Sequence, residues 1–224
     1  MEKVVDIKTA IDKINSGDSI MIGGFTNFGC PLHLMYELAK RKVNDLTVIS
    51  EDLGYGGESY LQGQGQLLAN GQVKEAMVSF VGRYPIVNEL IQKGVLKLTL
   101  IPQGTLAERI RAGGAGIGGF YTPTGVGTVV EKGKETKIIQ GKKYLLELPL
   151  RADVALIKAH TADKMGNAVF KYTARNFNPL MAMAADIVIL EVENLVENGV
   201  LEPDRVHLPG IFVDYIAVAT EVTF

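Results

Sequence analysis

Short apolar runs alternate with helix-like patterns along most of the chain. Runs of apolar and β-prone residues predict buried strands at 19–22, 46–50, 76–81, 96–101, 152–158, 187–191 and 211–216. Apolar residues at helical spacing predict helices at 31–42, 86–92, 105–111 and 179–185, with a short helix ending at 70–71. Strands separated by helices in this way are typical of βαβ crossovers. The pattern predicts an α/β fold, a mostly parallel open sheet flanked by helices, in a single domain spanning 1–224.

The section between 127 and 148 breaks this alternation. Two β-prone runs flank Gln140-Gly141, a pair that suits a tight turn between antiparallel strands. We therefore expect an added β-hairpin at the edge or over the face of the main sheet.

Composition excludes several classes of protein. Hydrophobic residues make up 47% and charged residues 21%, as in soluble globular proteins, and 23 Lys+Arg against 25 Asp+Glu leave a net charge of -2. Nucleic acid is therefore not an expected partner. The first residues carry charges where a signal peptide is apolar, and no apolar run approaches the ~18 residues that a membrane span needs. We expect a cytoplasmic protein with no membrane association.

Cysteine and histidine offer little for a metal site. Cys30 is the only cysteine, and the three histidines, His33, His160 and His207, lack the spacing of metal ligands, so no metal is expected. Cys30 precedes a predicted helix, where the pKa of a thiol can fall. An inert, buried thiol is nevertheless the commoner role of a lone cysteine.

Glycine is enriched, with 25 residues, and clusters in two segments. The first, 23–31, joins a predicted strand to a predicted helix. It directs backbone N–H groups and a positive helix end at one point, which suits an anion or a developing oxyanion, although an ordinary tight turn fits equally well. The second, 113–119, contains G-x-G-x-x-G but follows a helix instead of a strand, so a dinucleotide site is not predicted. We expect a flexible loop there, packed over a ligand or a subunit.

Polar residues near predicted element ends are further candidates. Gln103 falls where strand 96–101 ends, the usual ligand edge of an open α/β sheet. Glu108 with Arg109 or Arg111 fits a solvated helix pair. In the polar turn 175–179, Asn178 is a candidate helix N-cap.

Taken together, these segments resemble the alpha subunit of the family I coenzyme A-transferases, which include acetate or butyrate–acetoacetate CoA-transferase and 3-oxoacid CoA-transferase. The resemblance spans nearly the whole chain. Its most specific parts are Gly23-Gly24-Phe25-x3-Gly29-x-Pro31 and the segments 102–116, 121–125 and 174–178. It implies the sheet scaffold that these enzymes share with ribose-phosphate isomerases.

The resemblance also implies a function. Family members move CoA between short-chain carboxylic or 3-oxo acids, such as acetate, butyrate and acetoacetate, by a ping-pong route through a glutamyl-CoA thioester. CoA and acyl-CoA are substrates, and no permanently bound cofactor is implied. The family carries the nucleophilic glutamate in a Ser-Glu-Asn-Gly motif of the beta subunit. The implied partner is therefore a beta subunit, in an assembly of two alpha and two beta chains.

Matching positions imply the site residues. Gln103 matches a glutamine that the family places at the active site as a donor to the thioester oxyanion or to a carboxylate. The loop after the first strand matches the family's CoA-associated loop. The implied CoA-binding residues are Gly23, Gly24, Phe25, Thr26, Asn27, Phe28 and Gly29.

Glu51 departs from the family pattern. The family commonly has Ser-Asn-Asn or Ala-Asn-Asp where this sequence has Ser50-Glu51-Asp52. An ionised carboxylate cannot donate a hydrogen bond and would repel the partner's glutamate. Glu51, a candidate catalytic residue, could be protonated, could turn away so that Asp52 or a backbone N–H acts instead, or could bind a different substrate group. The identity of the acids stays open.

Glu197 is not expected to be the nucleophile. Its segment, Val196-Glu197-Asn198-Gly199, matches the motif only in part and follows a helical-looking acidic stretch at an expected surface turn. Two other functions remain alternatives. One is a CoA-ester hydrolase or lyase-like relative, and the other is a CoA- or sugar-phosphate-binding module without chemistry.

Overall fold

The computed structural model describes residues 2–54 and 63–219, in which strands and helices alternate as predicted. The helices are α1 (Ile7–Ile11), α2 (Leu32–Ala39), α3 (Gln64–Ala69), α4 (Pro85–Gln92), α5 (Gln103–Ala115) and α6 (Asn178–Met183). The strands are β1 (Ser19–Ile22), β2 (Leu46–Asp52), β3 (Val73–Phe80), β4 (Lys97–Leu100), β5 (Phe120–Thr122), β6 (Thr136–Ile139), β7 (Lys142–Glu147), β8 (Ala152–Asp163), β9 (Ala168–Val169), β10 (Ala185–Val196) and β11 (Tyr215–Val218).

The main sheet is parallel along its whole path, in the order β11-β10-β8-β1-β2-β3-β4. The short β9 pairs antiparallel with β8. Because parallel strands all run the same way, the ends of β1, β2 and β3 meet at one edge of the sheet. This edge brings the glycine loop together with Glu51 and Asp52.

Helices cover both faces of the sheet, and side chains of the central strands alternate between two apolar clusters. In β1, Ile20 and Ile22 belong to the cluster that contains residues of α1, α2 and α3, whereas Met21 belongs to the cluster that contains residues of α5 and α6. This period of two is what an extended strand imposes. The predicted fold class, a mostly parallel sheet flanked by helices, is confirmed.

The expected hairpin is present as β6 and β7, but it does not extend the edge of the main sheet. It pairs with β5 in a separate antiparallel sheet of order β5-β7-β6. Gln140 and Gly141 form the turn with φ of 49° and 77°, which matches the twist of the two strands.

Only the first part of the second glycine cluster is helical, so the expected flexible loop is wrong for that part. Helix α5 continues through Gly113 and Gly114. A β-carbon on Gly113 would lie 2.1 Å from the Leu150 carbonyl oxygen, and one on Gly114 would lie 2.8 Å from Met183 Cβ. These glycines allow close packing of the helix, which ends at Gly116 with a φ of 69°.

Two further predictions of secondary structure are wrong. The stretch before Glu197 is not helical, because β10 continues to Val196 and pairs with Asp163 of β8. The strand predicted at 211–216 begins only at Tyr215. It is preceded by a 3-10 turn, in which the Phe212 N–H donates to the Pro209 carbonyl oxygen at 3.1 Å.

Candidate active site

The glycine loop closes on itself between β1 and α2. The backbone N–H groups of Phe25 and Phe28 each donate to the other's carbonyl oxygen at 3.0 Å. The loop needs glycine for space as well as for conformation. A β-carbon on Gly23 would lie 1.9 Å from Asn178 Oδ1, and one on Gly29, whose φ is 74°, would lie 2.6 Å from a backbone oxygen.

Gln103 and Glu51 are in direct contact. Gln103 follows β4 as the first residue of α5, and its Nε2 donates to Glu51 Oε1 at 2.9 Å. Ser79 Oγ donates to the same carboxylate oxygen at 2.9 Å. Glu51 is only 5% exposed, so its carboxylate is held in place by two donors.

Asp52 connects this pair to the glycine loop. Its carboxylate accepts hydrogen bonds from the backbone N–H groups of Thr26 at 2.8 Å and Gly54 at 2.6 Å. Burial and, after it, a hydrogen bond with the Glu51 side chain raise the pKa of Asp52 to about 6. Two acidic side chains thus lie together at the end of β2, beside the start of α5.

A cavity of about 330 Å³ opens beside Gln103, between the glycine loop, α5 and the start of α6. It is lined by Phe25, Gln103, Gly104, Ala107, Asn176, Phe177 and Leu180. This size is sufficient for a small organic ligand. The Glu51–Gln103 pair therefore lies beside a pocket that a substrate can enter.

A buried carboxylate caps the helix that follows the glycine loop. Pro31 occupies the N-cap position of α2 and offers no side-chain hydrogen bond. Glu191 of β10, fully buried, accepts from the backbone N–H groups of His33 at 2.9 Å and Leu34 at 3.1 Å. His33 Nδ1, at 3.0 Å, and Lys158 Nζ, at 3.5 Å, face its other oxygen. The negative charge compensates the positive end of α2.

Asn178 joins the same loop to the rest of the sheet, although not as predicted. It is the first residue of α6 and is fully buried, so the expected N-cap role is wrong. Its Nδ2 donates to the carbonyl oxygens of Gly29 and Ala174, and its Oδ1 accepts from the backbone N–H of Lys158. Asn178 thus holds the glycine loop against β8.

Comparison with known proteins identifies the family. Residues 4–219 match the family model described as Coenzyme A transferase. The chain belongs to this family. The predicted resemblance and the predicted enzyme class, a CoA-transferase, are confirmed.

Relatives of similar length are named as single subunits of such enzymes. The chain is 46% identical over 219 residues to the alpha subunit of acetate CoA-transferase of Escherichia coli K12, covering 98% of both chains. It is 48% identical to one subunit of the probable succinyl-CoA:3-ketoacid coenzyme A transferase of Bacillus subtilis, covering 94% of this chain and 87% of that one. It is 46% identical to the acetoacetyl-CoA:acetate/butyrate CoA transferase alpha subunit of Clostridium acetobutylicum, covering 96% of both.

Solved structures share the fold. The acyl-CoA transferase YdiF of Escherichia coli O157:H7 superposes with a TM-score of 0.86 at 24% identity, covering 97% of this chain and 47% of that one. This coenzyme A transferase chain therefore spans about half the length of YdiF. The decarboxylase AibA/AibB superposes with a TM-score of 0.81 at 26% identity, covering 98% of this chain and 84% of that one.

Cys30 is an inert thiol in this coenzyme A transferase. It is 3% exposed, and its Sγ donates to the Thr26 carbonyl oxygen at 2.8 Å. Burial, with the nearby negative charge of Asp52 as the second cause, raises the pKa of the thiol far above its ordinary value. Proximity to a helix N-terminus therefore does not activate it.

Glu197 lies in an exposed turn after β10 and forms an ion pair with Lys164 at 2.5 Å. The predicted surface turn is confirmed. Glu108 and Arg111 form the predicted exposed helix pair, at 2.6 Å.

Sequence reasoning missed Ser79, Glu191 and the cavity beside Gln103. Glu191 had a signal, because a charged residue directly after the apolar run 187–190 is unusual in a buried strand. Ser79 and the cavity had none, since both depend on which elements become neighbours. Within residues 2–54 and 63–219, no cluster of metal-ligating side chains is found, and no helix there is long and apolar enough to span a membrane.

Proposed function

We propose that this chain is the alpha subunit of a heteromeric CoA-transferase that moves CoA between short-chain carboxylic or 3-oxo acids. The observation that carries the proposal is the contact of Gln103 with Glu51 beside the glycine loop and an open cavity. The relatives named for acetate, butyrate and acetoacetyl-CoA support the choice of acids.

The reaction follows a ping-pong route. A glutamate carboxylate of the partner adds to the thioester carbonyl, and CoA leaves as a thiolate, which gives an acyl-glutamyl anhydride. The thiolate then attacks the glutamyl carbonyl and releases the first acid as a carboxylate, leaving a glutamyl-CoA thioester. A second acid reverses these steps and departs as its CoA ester.

Gln103 stabilises the oxyanion of this reaction. Its Nε2 uses one hydrogen on Glu51, and no other hydrogen bond to its amide is formed in the described part of the chain. The second hydrogen is therefore free to donate to the thioester oxygen as negative charge develops there. Glu51 acts as a positioning residue, because it holds the amide in one orientation.

CoA binds along the glycine loop, residues 23–29. A second cavity, of about 350 Å³, lies beside Asn27, Phe28 and Gly29. Lys171 contributes positive charge to its wall, which suits the phosphate groups of CoA, whereas Lys158 in the same wall is paired with Glu191 and Glu193. CoA is a substrate in this scheme, and no permanent cofactor takes part.

The nucleophile comes from a beta subunit, in an assembly of two alpha and two beta chains. The carboxyl groups of this chain that lie beside Gln103 are poor nucleophiles. Those of Glu51 and Asp52 are buried and each accepts two hydrogen bonds, which reduces their reactivity.

Intact-mass measurement tests the proposal directly. The native complex is incubated with acetoacetyl-CoA, and the mass of each chain is recorded before and after addition of excess acetate. We expect a CoA-sized adduct on a second, co-purifying chain, and acetate should remove it. An adduct on this chain would contradict the division of roles. Steady release of free CoA without a second acid would favour the hydrolase alternative.

A further inference from the structure

The walls of the cavity beside Gln103 differ sharply in polarity. Phe25, Ala107, Phe177 and Leu180 line most of it with apolar side chains. Phe177 and Leu180 also belong to or pack against the apolar cluster under α5 and α6. An acyl chain placed against this wall exchanges water for hydrocarbon, which is favourable.

The polar residues that line the cavity differ in what they can still bind. Gln103 and Gly104 form the start of α5, where backbone N–H groups have no partner within the helix. The other polar side chain, Asn176, is already occupied. Its Nδ2 donates to the Phe28 and Thr173 carbonyl oxygens, and its Oδ1 accepts from Phe177 N–H. Among the described residues, a ligand thus finds hydrogen-bond donors at the Gln103 end only.

The described residues that line the cavity include no positive side chain. The acidic side chain of Glu51 lies directly behind this wall, since its Oε1 is 2.9 Å from Gln103 Nε2. Asp52 adds a second acidic group behind the same wall, also buried. A second carboxylate against the apolar part of this wall would therefore give up part of its hydration without gaining a counter-charge from the described lining.

We propose that this cavity is the acyl subsite and that it selects acids with one carboxylate and an apolar chain over dicarboxylic acids. The inference rests on the proposed function and names the substrate class of that site. The reacting carboxylate or thioester lies at the Gln103 end, and the chain lies against Phe177 and Leu180. A second carboxylate at the far end of the chain would face Leu180 with no donor to bind it.

Butyrate and succinate provide a matched test, because both have four carbons and differ in a terminal methyl group or carboxylate. The assembled complex is given acetyl-CoA with either acid, and kcat/KM is measured for each. We expect butyrate to exceed succinate by about tenfold or more, since a carboxylate against apolar side chains loses hydration without gaining a partner. A ratio near one would overturn the inference.

Two variants locate the selectivity in this cavity. Leu180→Arg places a cation against the apolar wall, and Ala107→Lys does so from α5, which keeps the test open if one variant fails to fold. Each should lower the butyrate-to-succinate ratio by about tenfold or more, because the second carboxylate gains a partner. Val129→Arg, at a position 91% exposed in the 3-10 turn before β6, adds the same charge elsewhere and should leave the ratio unchanged.

The outcomes separate this inference from the function on which it rests. Transfer to butyrate with an unchanged ratio in both folded cavity variants would show that succinate is rejected elsewhere, and would overturn the acyl subsite. Failure of every acid to accept CoA would instead contradict the proposed function, and the inference would fall with it.

Discussion

At the level of single residues, the chemistry of a carboxylate determines how Gln103 is presented. Glu51 can only accept when ionised, so its partner in the Gln103 amide must be the NH2 group. Asparagine at this position could donate or accept and would leave the glutamine free to rotate. The departure from the family pattern at 51 therefore has a structural consequence, a glutamine held in one orientation.

Gln103→Ala is expected to lower the turnover of the assembled complex by about ten- to a thousandfold, the usual cost of removing one oxyanion donor. The loss should appear mainly in kcat, because the donor acts on charge that develops during the reaction. Gln92→Ala, at an exposed position at the end of α4, is the matched control and should leave turnover unchanged. Unchanged turnover in Gln103→Ala would remove the role.

Asp52 makes the free energy of unfolding fall as the pH rises. A carboxyl group whose pKa is lowered by folding has the opposite effect. Its pKa rises from 3.8 to about 6 on folding, so between these values the folded chain holds a proton that the unfolded chain has lost. The stability that this group contributes is fully present below pH 3.8 and is lost as the pH rises through about 6, by up to about 3 kcal/mol.

Urea unfolding at about pH 4.5 and at about pH 7, on either side of the raised pKa, checks this sign. Asp52→Asn should reduce the loss of stability between the two pH values. Asp153→Asn is the control, because hydrogen bonds from Ser19 lower the pKa of Asp153 and place its titration below this window. If the wild-type chain and Asp52→Asn lost the same free energy of unfolding between the two pH values, the raised pKa of Asp52 would be contradicted.

At the level of elements, α2 is an example of a helix whose start is stabilised from a distant strand. Glu191 is 157 residues from Leu34 in sequence, yet it accepts the N–H groups that a local cap would take. The same contact holds the C-terminal end of the glycine loop, since Pro31 connects the loop directly to α2. The positions of the cap and the loop are therefore linked.

Glu191→Gln is expected to destabilise the fold by about 2 kcal/mol or more, because it removes a buried charge that faces two backbone N–H groups and the side chains of His33 and Lys158. Urea unfolding of the variant measures the loss. Glu193→Gln, two residues along the same strand and exposed, should cost less than about 1 kcal/mol. Equal effects of the two changes would argue against the cap.

At the level of the whole molecule, exposed apolar side chains lie at the ends of several main-sheet strands. Phe28 is 67% exposed and Phe25 is 42% exposed in the glycine loop, and Phe80 and Leu100 end β3 and β4. Apolar surface beside a site that is proposed to take its nucleophile from another chain is what a protein partner would cover. This edge is therefore where the beta subunit is expected to bind.

Hydrogen exchange of the chain alone and in the assembled complex tests this expectation. Amides of residues 25–29 should exchange more slowly in the complex, whereas those of the β6–β7 turn, at Gln140 and Gly141, should change little. Protection confined to that turn would place the partner on the other sheet and contradict the expectation.

The sequence alone is sufficient to predict the strands and helices in which buried apolar residues recur at regular spacing. The strands at 19–22 and 46–50 and helix α2 were predicted because alternating or helical spacing requires only neighbours in sequence. The location of Gln103 and the glycine loop at one edge of the sheet also follows from the sequence, since strand ends in a parallel sheet converge on one edge.

Only the tertiary structure could decide features that join distant parts of the chain. The acidic stretch before Glu197 looks helical in sequence, but pairing with β8 makes it a strand, because hydrogen bonds to a neighbour outweigh local propensity. The cap of α2 by Glu191, the burial that makes Cys30 inert, and the apolar cavity beside Gln103 have the same origin. Each depends on distances between elements, which no local pattern contains.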